Sequence, residues 1–268
     1  MTEGAGGDQA GRGSDVKIHG ALEQSGSKLS RYMDLVLGKR SLIALLRFEL
    51  IMLMVGRVPG ALGIVLRGKL YPLILGHVGR GVIFGAGISF RHPHKISIGD
   101  GAVIDDHCML DAKGTTNRGI LLEEGVFLGR YTIMSCKNGD IFLRRRVNFG
   151  FYCDVFSSGR VEVGAETVIA AYTYILSGGS YLLDRLDLPI AQQYDLSASK
   201  PTEIGEGSWI GARVTVIEGV KTGRGSVLAA GAVVNQDVPD YGIAMGVPAK
   251  TRHFREGAPT PRRNHEVA

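Results

Sequence analysis

Few side chains in this sequence could do acid–base, nucleophilic or metal chemistry, and they are scattered. Of the seven histidines, His92, His94 and His107 fall nearest one another. Three histidines are the minimum for an open zinc site. His92-Pro93-His94-Lys95 reads instead as a corner, and no metal is expected. Asp154, Asp184 and Asp187 are the carboxylates open to general-base work, with His107 as the imidazole alternative. Such a group would take the proton of an attacking hydroxyl or amine. Asp184-Arg185 reads as a local ion pair. Cys108, Cys136 and Cys153 are odd in number and form no CxxC pair, which predicts reduced, buried thiols in a cytoplasmic protein. Arg144-Arg145-Arg146 reads as a solvated basic face, with a contact to phosphate or an anionic glycan as the sharper alternative.

What must position these groups is a repeat of six residues. Ile98-Gly-Asp-Gly-Ala-Val is followed by Ile104-Asp-Asp-His-Cys-Met, and Leu122-Glu-Glu-Gly-Val-Phe by Leu128-Gly-Arg-Tyr-Thr-Ile. The pattern continues through Phe149, Ile169 and Ile210 to Leu228-Ala-Ala-Gly-Ala-Val. Each unit reads aliphatic, then small or acidic, then two variable residues, then a small or β-branched residue. In a strand of period two, the first and fifth positions share a face. Three short strands then close a triangular coil, with the large residues filling its centre. Gly at the second position is expected to permit the corner backbone. Stacked coils bury a continuous column, which predicts an all-β parallel coil. His107 falls at a variable, outward position. Cys108 and Cys153 fall at fifth positions, where packing is their expected role.

Outside the repeats the texture differs. Residues 1–30 and 256–268 lack apolar periodicity and read as disordered tails. Residues 31–76 carry two apolar runs, Ser41 to Val55 and Ala61 to Leu75. Neither reaches the roughly 20 uninterrupted apolar residues of a membrane span. They predict a helical cap on the coil, or a helix pair lying on a membrane through residues 41–75, with the Arg and Lys residues they carry, Arg47, Arg67 and Lys69, at headgroup level. The net charge of +5 suits an anionic ligand or surface but is too small to argue for nucleic acid. The coil domain spans 77–255, and the repeat breaks once, over 176–201. A loop that long inside a regular solenoid is usually functional.

On these units, and on Trp209-Ile-Gly-Ala-Arg, Ala229-Ala-Gly-Ala-Val-Val, Asp237-Val-Pro and Gly246-Val-Pro-Ala-Lys, the chain resembles the hexapeptide-repeat acyltransferases, especially those acetylating sugars and xenobiotics. The resemblance covers about residues 78–255. It implies a left-handed parallel β-helix and a homotrimer with active sites in clefts between subunits. It also implies acetyl-CoA as acyl donor, its thin arm lying along the small residues of the last coils. Gly211, Ala212 and Ala230 leave room for that arm, Trp209 would flank it, and Lys250 and Arg252 would meet the nucleotide phosphates.

One residue departs from the family. These enzymes place a histidine just before the loop as general base, and here that position is Ser180. Serine at neutral pH needs a base of its own. Either another group acts as base, with Asp154, Asp184, Asp187 and His107 as the candidates, or the acceptor is a nucleophile that needs little activation, or the protein binds without catalysing. The expectation is an acyltransferase acting on a hydroxyl or amino group of a small molecule or glycan. The alternative is an inactive scaffold or binding subunit in glycan or lipid assembly. The location expected is the cytoplasm, or the inner face of the membrane if the helix pair docks there. Some proteins of this fold are carbonic anhydrases holding zinc on three histidines, but the spacings of His92, His94 and His107 do not resemble theirs.

Overall fold

Each six-residue unit becomes a short strand and a corner, and successive units stack at a constant register. The computed structural model describes residues 27–179, 184–190, 193 and 199–259. Three sheets form the faces of a left-handed parallel β-helix. Face one holds seven strands from His77–Val78 to Lys221–Thr222, and face three holds seven from Ser89–Arg91 to Val233–Val234. Face two holds nine, starting at Ile83–Phe84 and closing with Gly242–Met245 and its antiparallel partner Lys250–Phe254. All other pairings are parallel; Val161 lies opposite Thr202 and Val163 opposite Ile204, so the stack continues in register across the loop.

First positions fill the centre: Ile98, Ile104, Leu122, Leu128, Leu143, Phe149, Ile169 and Ile210 are all buried. Fifth positions are small for a further reason. Their hydroxyls and thiols donate to the carbonyls of the next coil's corner: Thr132 to Gly150 at 3.0 Å, Thr167 to Gly205 at 3.0 Å, Thr173 to Gly211 at 3.1 Å. Cys108 and Cys153 do the same at 3.2 Å each, toward Gly129 and Ala170. A buried corner carbonyl left without a donor would cost free energy.

The expected role of the second-position glycines needs correction. The left-handed backbone falls at the fourth position, on Gly101, His107, Tyr131 or Gly207. The second position instead lacks space. A Cβ on Gly211 would stand 2.6 Å from the amide nitrogen of Ala230 in the next coil, and one on Gly205 would stand 2.3 Å from the carbonyl carbon of Gly223.

Helices close the first coil. After the single helical turn α1 (Lys28–Tyr32), α2 (Leu42–Val55) is capped by Ser41, whose Oγ accepts from the amide of Ala44. Pro59 precedes α3 (Gly60–Leu70). α2 buries Leu45, Phe48, Ile51 and Val55 in the same core as the solenoid. Tyr71 meets Phe84 and Phe90 edge-on, both with ring centres 5.1 Å away. Arg67, expected at a headgroup level, is buried instead, at 1% exposure. Its guanidinium donates to the carbonyls of Val55, Val58 and Phe84 at 3.1, 2.6 and 2.9 Å. The orphan carbonyls at the end of α2 take a cation there.

Candidate functional site

The corner between faces two and three carries most of the chemistry. Its fourth-position residues all adopt left-handed backbone: Gly87, His107, Tyr131, Tyr152, Tyr172, Arg213 and Gly231 in successive coils. From His107 on, each corner amide bonds to the coil before it, as Tyr152 to Arg130 at 2.9 Å and Arg213 to Ala171 at 3.0 Å, while that of Gly87 donates to Gly56 at 2.7 Å. With a common backbone conformation, the side chains leave the corner in parallel. His107 stacks on Tyr131 with ring centres 4.9 Å apart, Tyr131 on Tyr152 at 4.8 Å, and Tyr152 on Tyr172 at 5.3 Å. Arg213 closes the column with its guanidinium 5.7 Å from the centre of the Tyr172 ring. The three tyrosines remain exposed at their rims.

Above Arg213 the column drops to a ledge of small residues, Ala212, Ala230 and Gly231, and Ala230 is exposed. The ledge abuts the closing hairpin: the amide of Ala249 donates to Val233 at 2.7 Å, and that of Val233 to Gly246 at 3.1 Å. Lys250 follows Ala249 and is exposed, as is Arg252, which falls where the hairpin register shifts. Neither makes an ion pair among the described residues. Trp209, 56% exposed, opens the strand that leads to Ala212. Gly211 is accounted for by the contact of its coil with the next.

Asp154 lies two residues past the Tyr152 corner, at the start of a face-three strand, opposite Tyr174 in the next coil. Burial alone holds its carboxyl above the ordinary carboxylate value. Burial, and then the charge of Asp154, raise the Tyr174 hydroxyl in turn. The strand Tyr174–Ser177 is also where the chain leaves the coil. Gly178 makes the exit with φ of 105°, and a Cβ there would lie 2.4 Å from the Ser158 side chain. A half-buried carboxylate of raised proton affinity therefore sits one coil below the loop exit, beside the aromatic column.

The other expected residues fall elsewhere or outside the described residues, as Ser180 does. His107 stands at the far end of the column, three rungs from Tyr172. Asp184 is exposed. It is not the ion-pair partner of Arg185, which binds Asp187 bidentately and so holds the Asp187 carboxyl low. Arg144, Arg145 and Arg146 are engaged between coils: Arg144 reaches Glu123 at 2.8 Å and Glu162, Arg145 reaches Glu166 at 3.5 Å, and Arg146 reaches it at 3.3 Å. Among the described residues no group of three His, Cys, Asp or Glu is placed to hold a metal. His92 instead ties its corner to the N-terminal helices, with Nε2 3.0 Å from the carbonyl of Asp34. Sequence reasoning passed over Tyr131, Tyr152, Tyr172 and Arg213. The signal was present, since all four occupy the fourth position of the second unit of their coil.

The closing coils, residues 201–236, match the family model described as "Bacterial transferase hexapeptide (six repeats)". The "Probable acetyltransferase Rv3034c" of Mycobacterium tuberculosis is 40% identical over 96 residues, which is 36% of this chain and 31% of that protein. The "Putative lipopolysaccharide biosynthesis O-acetyl transferase WbbJ" of Escherichia coli is 31% identical over 147 residues, covering 53% of this chain and 74% of that one. The galactoside O-acetyltransferase of Lactococcus lactis is 27% identical over 111 residues, 40% of this chain and 53% of that enzyme. The chain thus spans about a third of the first relative, half of the third and three quarters of the second. Among solved structures, the polysialic acid O-acetyltransferase OatWY superposes with a TM-score of 0.52 at 15% identity, over 71% of this chain and 92% of that one, which shows the shared fold. With the WbbJ match extending over most of that protein and the closing coils fitting the repeat model, this chain belongs to the hexapeptide-repeat acyltransferases.

Proposed function

We propose that this protein moves an acetyl or similar short acyl group from acyl-CoA to a hydroxyl or amino group of a sugar or glycan. The observation that carries this reading is that the half-buried carboxylate of Asp154 begins a face-three strand just past the corner that, two and three coils on, presents Ala212, Ala230 and Gly231. The pantetheine arm lies along Ala212, Ala230 and Gly231, with Lys250 and Arg252 toward its phosphates. The acceptor rests against the rims of Tyr152 and Tyr172. Asp154 accepts the acceptor's proton as its oxygen or nitrogen attacks the thioester carbonyl. The carbon–sulfur bond breaks, and the departing CoA thiolate takes the proton back from Asp154. No covalent acyl-enzyme is needed. Further parts of the reading are a homotrimer, as in the family it belongs to, and a cytoplasmic site of action, where acyl-CoA is at hand.

A titration with acetyl-CoA, followed by the thermal midpoint, tests it. A ligand bound by the native state alone raises the midpoint by mass action. A dose-dependent rise that Lys250→Ala removes is the expected result. No rise at millimolar acetyl-CoA overturns the reading.

A second reading, a binding subunit without catalysis, rests on the family resemblance, which aligns Ser180 with the histidine those enzymes carry. If the natural protein is silent and Ser180→His switches on transfer, that reading holds. If the natural protein is active and the change adds nothing, Asp154 suffices.

A further inference from the structure

We propose that helices α2 and α3 seat this protein on an anionic lipid bilayer. α2 has two apolar faces. One packs on the solenoid through Leu45, Phe48 and Val55. The other, Ile43, Leu46, Leu50 and Leu53, follows steps of three, four and three residues, a single helical stripe, and points to water. Ile43 is 80% exposed and Leu53 85%. α3 extends the surface with exposed Leu62 and Val65. An exposed apolar patch of this continuity marks a contact surface.

Charge decides between the candidate occupants. Lys39, Arg47, Arg57 and Lys69 are exposed in and beside the two helices, and none makes an ion pair among the described residues. These four cations outnumber the nearby acids, of which Asp34 pairs with Arg40 at 2.8 Å and Glu49 accepts from the hydroxyl of Tyr32. A second copy packed face to face would set this cationic rim against itself. Anionic headgroups complement it, while acyl chains take up the leucines. Neither helix is long and apolar enough to cross a membrane. Both therefore lie in the interfacial plane. The inference is independent of the acyl-CoA reading, since it uses no residue of that corner.

The test is co-sedimentation of the full chain with vesicles of phosphatidylcholine alone or mixed with phosphatidylglycerol. Binding to the mixed vesicles, weakened by salt, is expected. Leu46→Glu with Leu50→Glu should weaken it at least tenfold without changing circular dichroism, and Arg47→Glu with Lys69→Glu several-fold. A dye on Leu53→Cys reads the same contact in an otherwise natural chain, and its emission should shift to the blue with mixed vesicles. A chain that stays in the supernatant with both vesicles, or a dye that never shifts, overturns the proposal. So does an oligomer that Leu50→Glu dissociates in the absence of vesicle binding, which would assign the face to a second copy.

Discussion

Asp154 stands opposite Tyr174 in the register of face three, one coil below the point where the chain leaves the β-helix. Burial raises both groups, and the Asp154 carboxylate raises the tyrosine further. If Asp154 is the base, Asp154→Asn should lower acyl transfer by about 10²–10⁴-fold. In the natural protein, the acid limb of kcat/KM should lie above the ordinary carboxylate range, because the base must be ionised to work. Stability should move the other way. A carboxyl raised by burial contributes stability that is present below its unfolded value and lost as pH rises through its folded one. Asp154→Asn is therefore expected to raise the thermal midpoint at neutral pH, and the gain should vanish in acid. A variant that loses activity and stability together would point to a structural role.

Arg67 gives a prediction about the cap. Its replacement by Met keeps the apolar stem and removes the donors for the carbonyls of Val55, Val58 and Phe84. The Val55 carbonyl still accepts from the amide of Val58, so leaving those of Val58 and Phe84 unsatisfied should cost about 2 kcal/mol or more. Urea unfolding measures this. Loss at the cap also exposes the first coil's edge, so the variant should aggregate on mild heating.

Gly211 and Ala230 separate packing from ligand binding on one ledge. Gly211→Val drives a side chain into the backbone of the next coil and should cost about 1–3 kcal/mol. Ala230 is exposed, so Ala230→Trp should leave the melting of the free protein within about 0.5 kcal/mol of the original. On the acyl-CoA reading the same change should abolish the midpoint rise with acetyl-CoA, because the bulky ring would fill the path proposed for the arm. An unaltered rise in Ala230→Trp would place the donor elsewhere.

The thiols should be silent in the native protein. Cys108 and Cys153 are pushed up to about 12 and about 11 by burial, and Cys136 is raised in the same way. A thiol reagent at pH 8 should find none of the three until denaturant is added. Rapid labelling of a single thiol in the folded state would show a local opening of its coil.

Much of the architecture could be read from the chain because a solenoid writes its geometry locally. Each six-residue unit carries its own inward residue, its own corner and its own small fifth position, and pairing only repeats that rule. Ile98, Leu122 and Leu143 therefore announced the core without any knowledge of long-range contacts. The interruption of the repeat over 176–201 was equally plain, as was the apolar character of the segment that became α2 and α3. Four things needed the tertiary structure. The demand for Gly at the second position arises between coils, where a Cβ on Gly211 meets Ala230. The fate of Arg67 depended on which carbonyls the packed helices left open. The aromatic column joins His107, Tyr131, Tyr152 and Tyr172 across intervals of 24, 21 and 20 residues, unequal steps that only stacking makes equivalent. Whether Asp154 could act as a base was likewise undetermined by its type or neighbours in sequence. Proton affinity follows from burial, and burial belongs to the assembled coil.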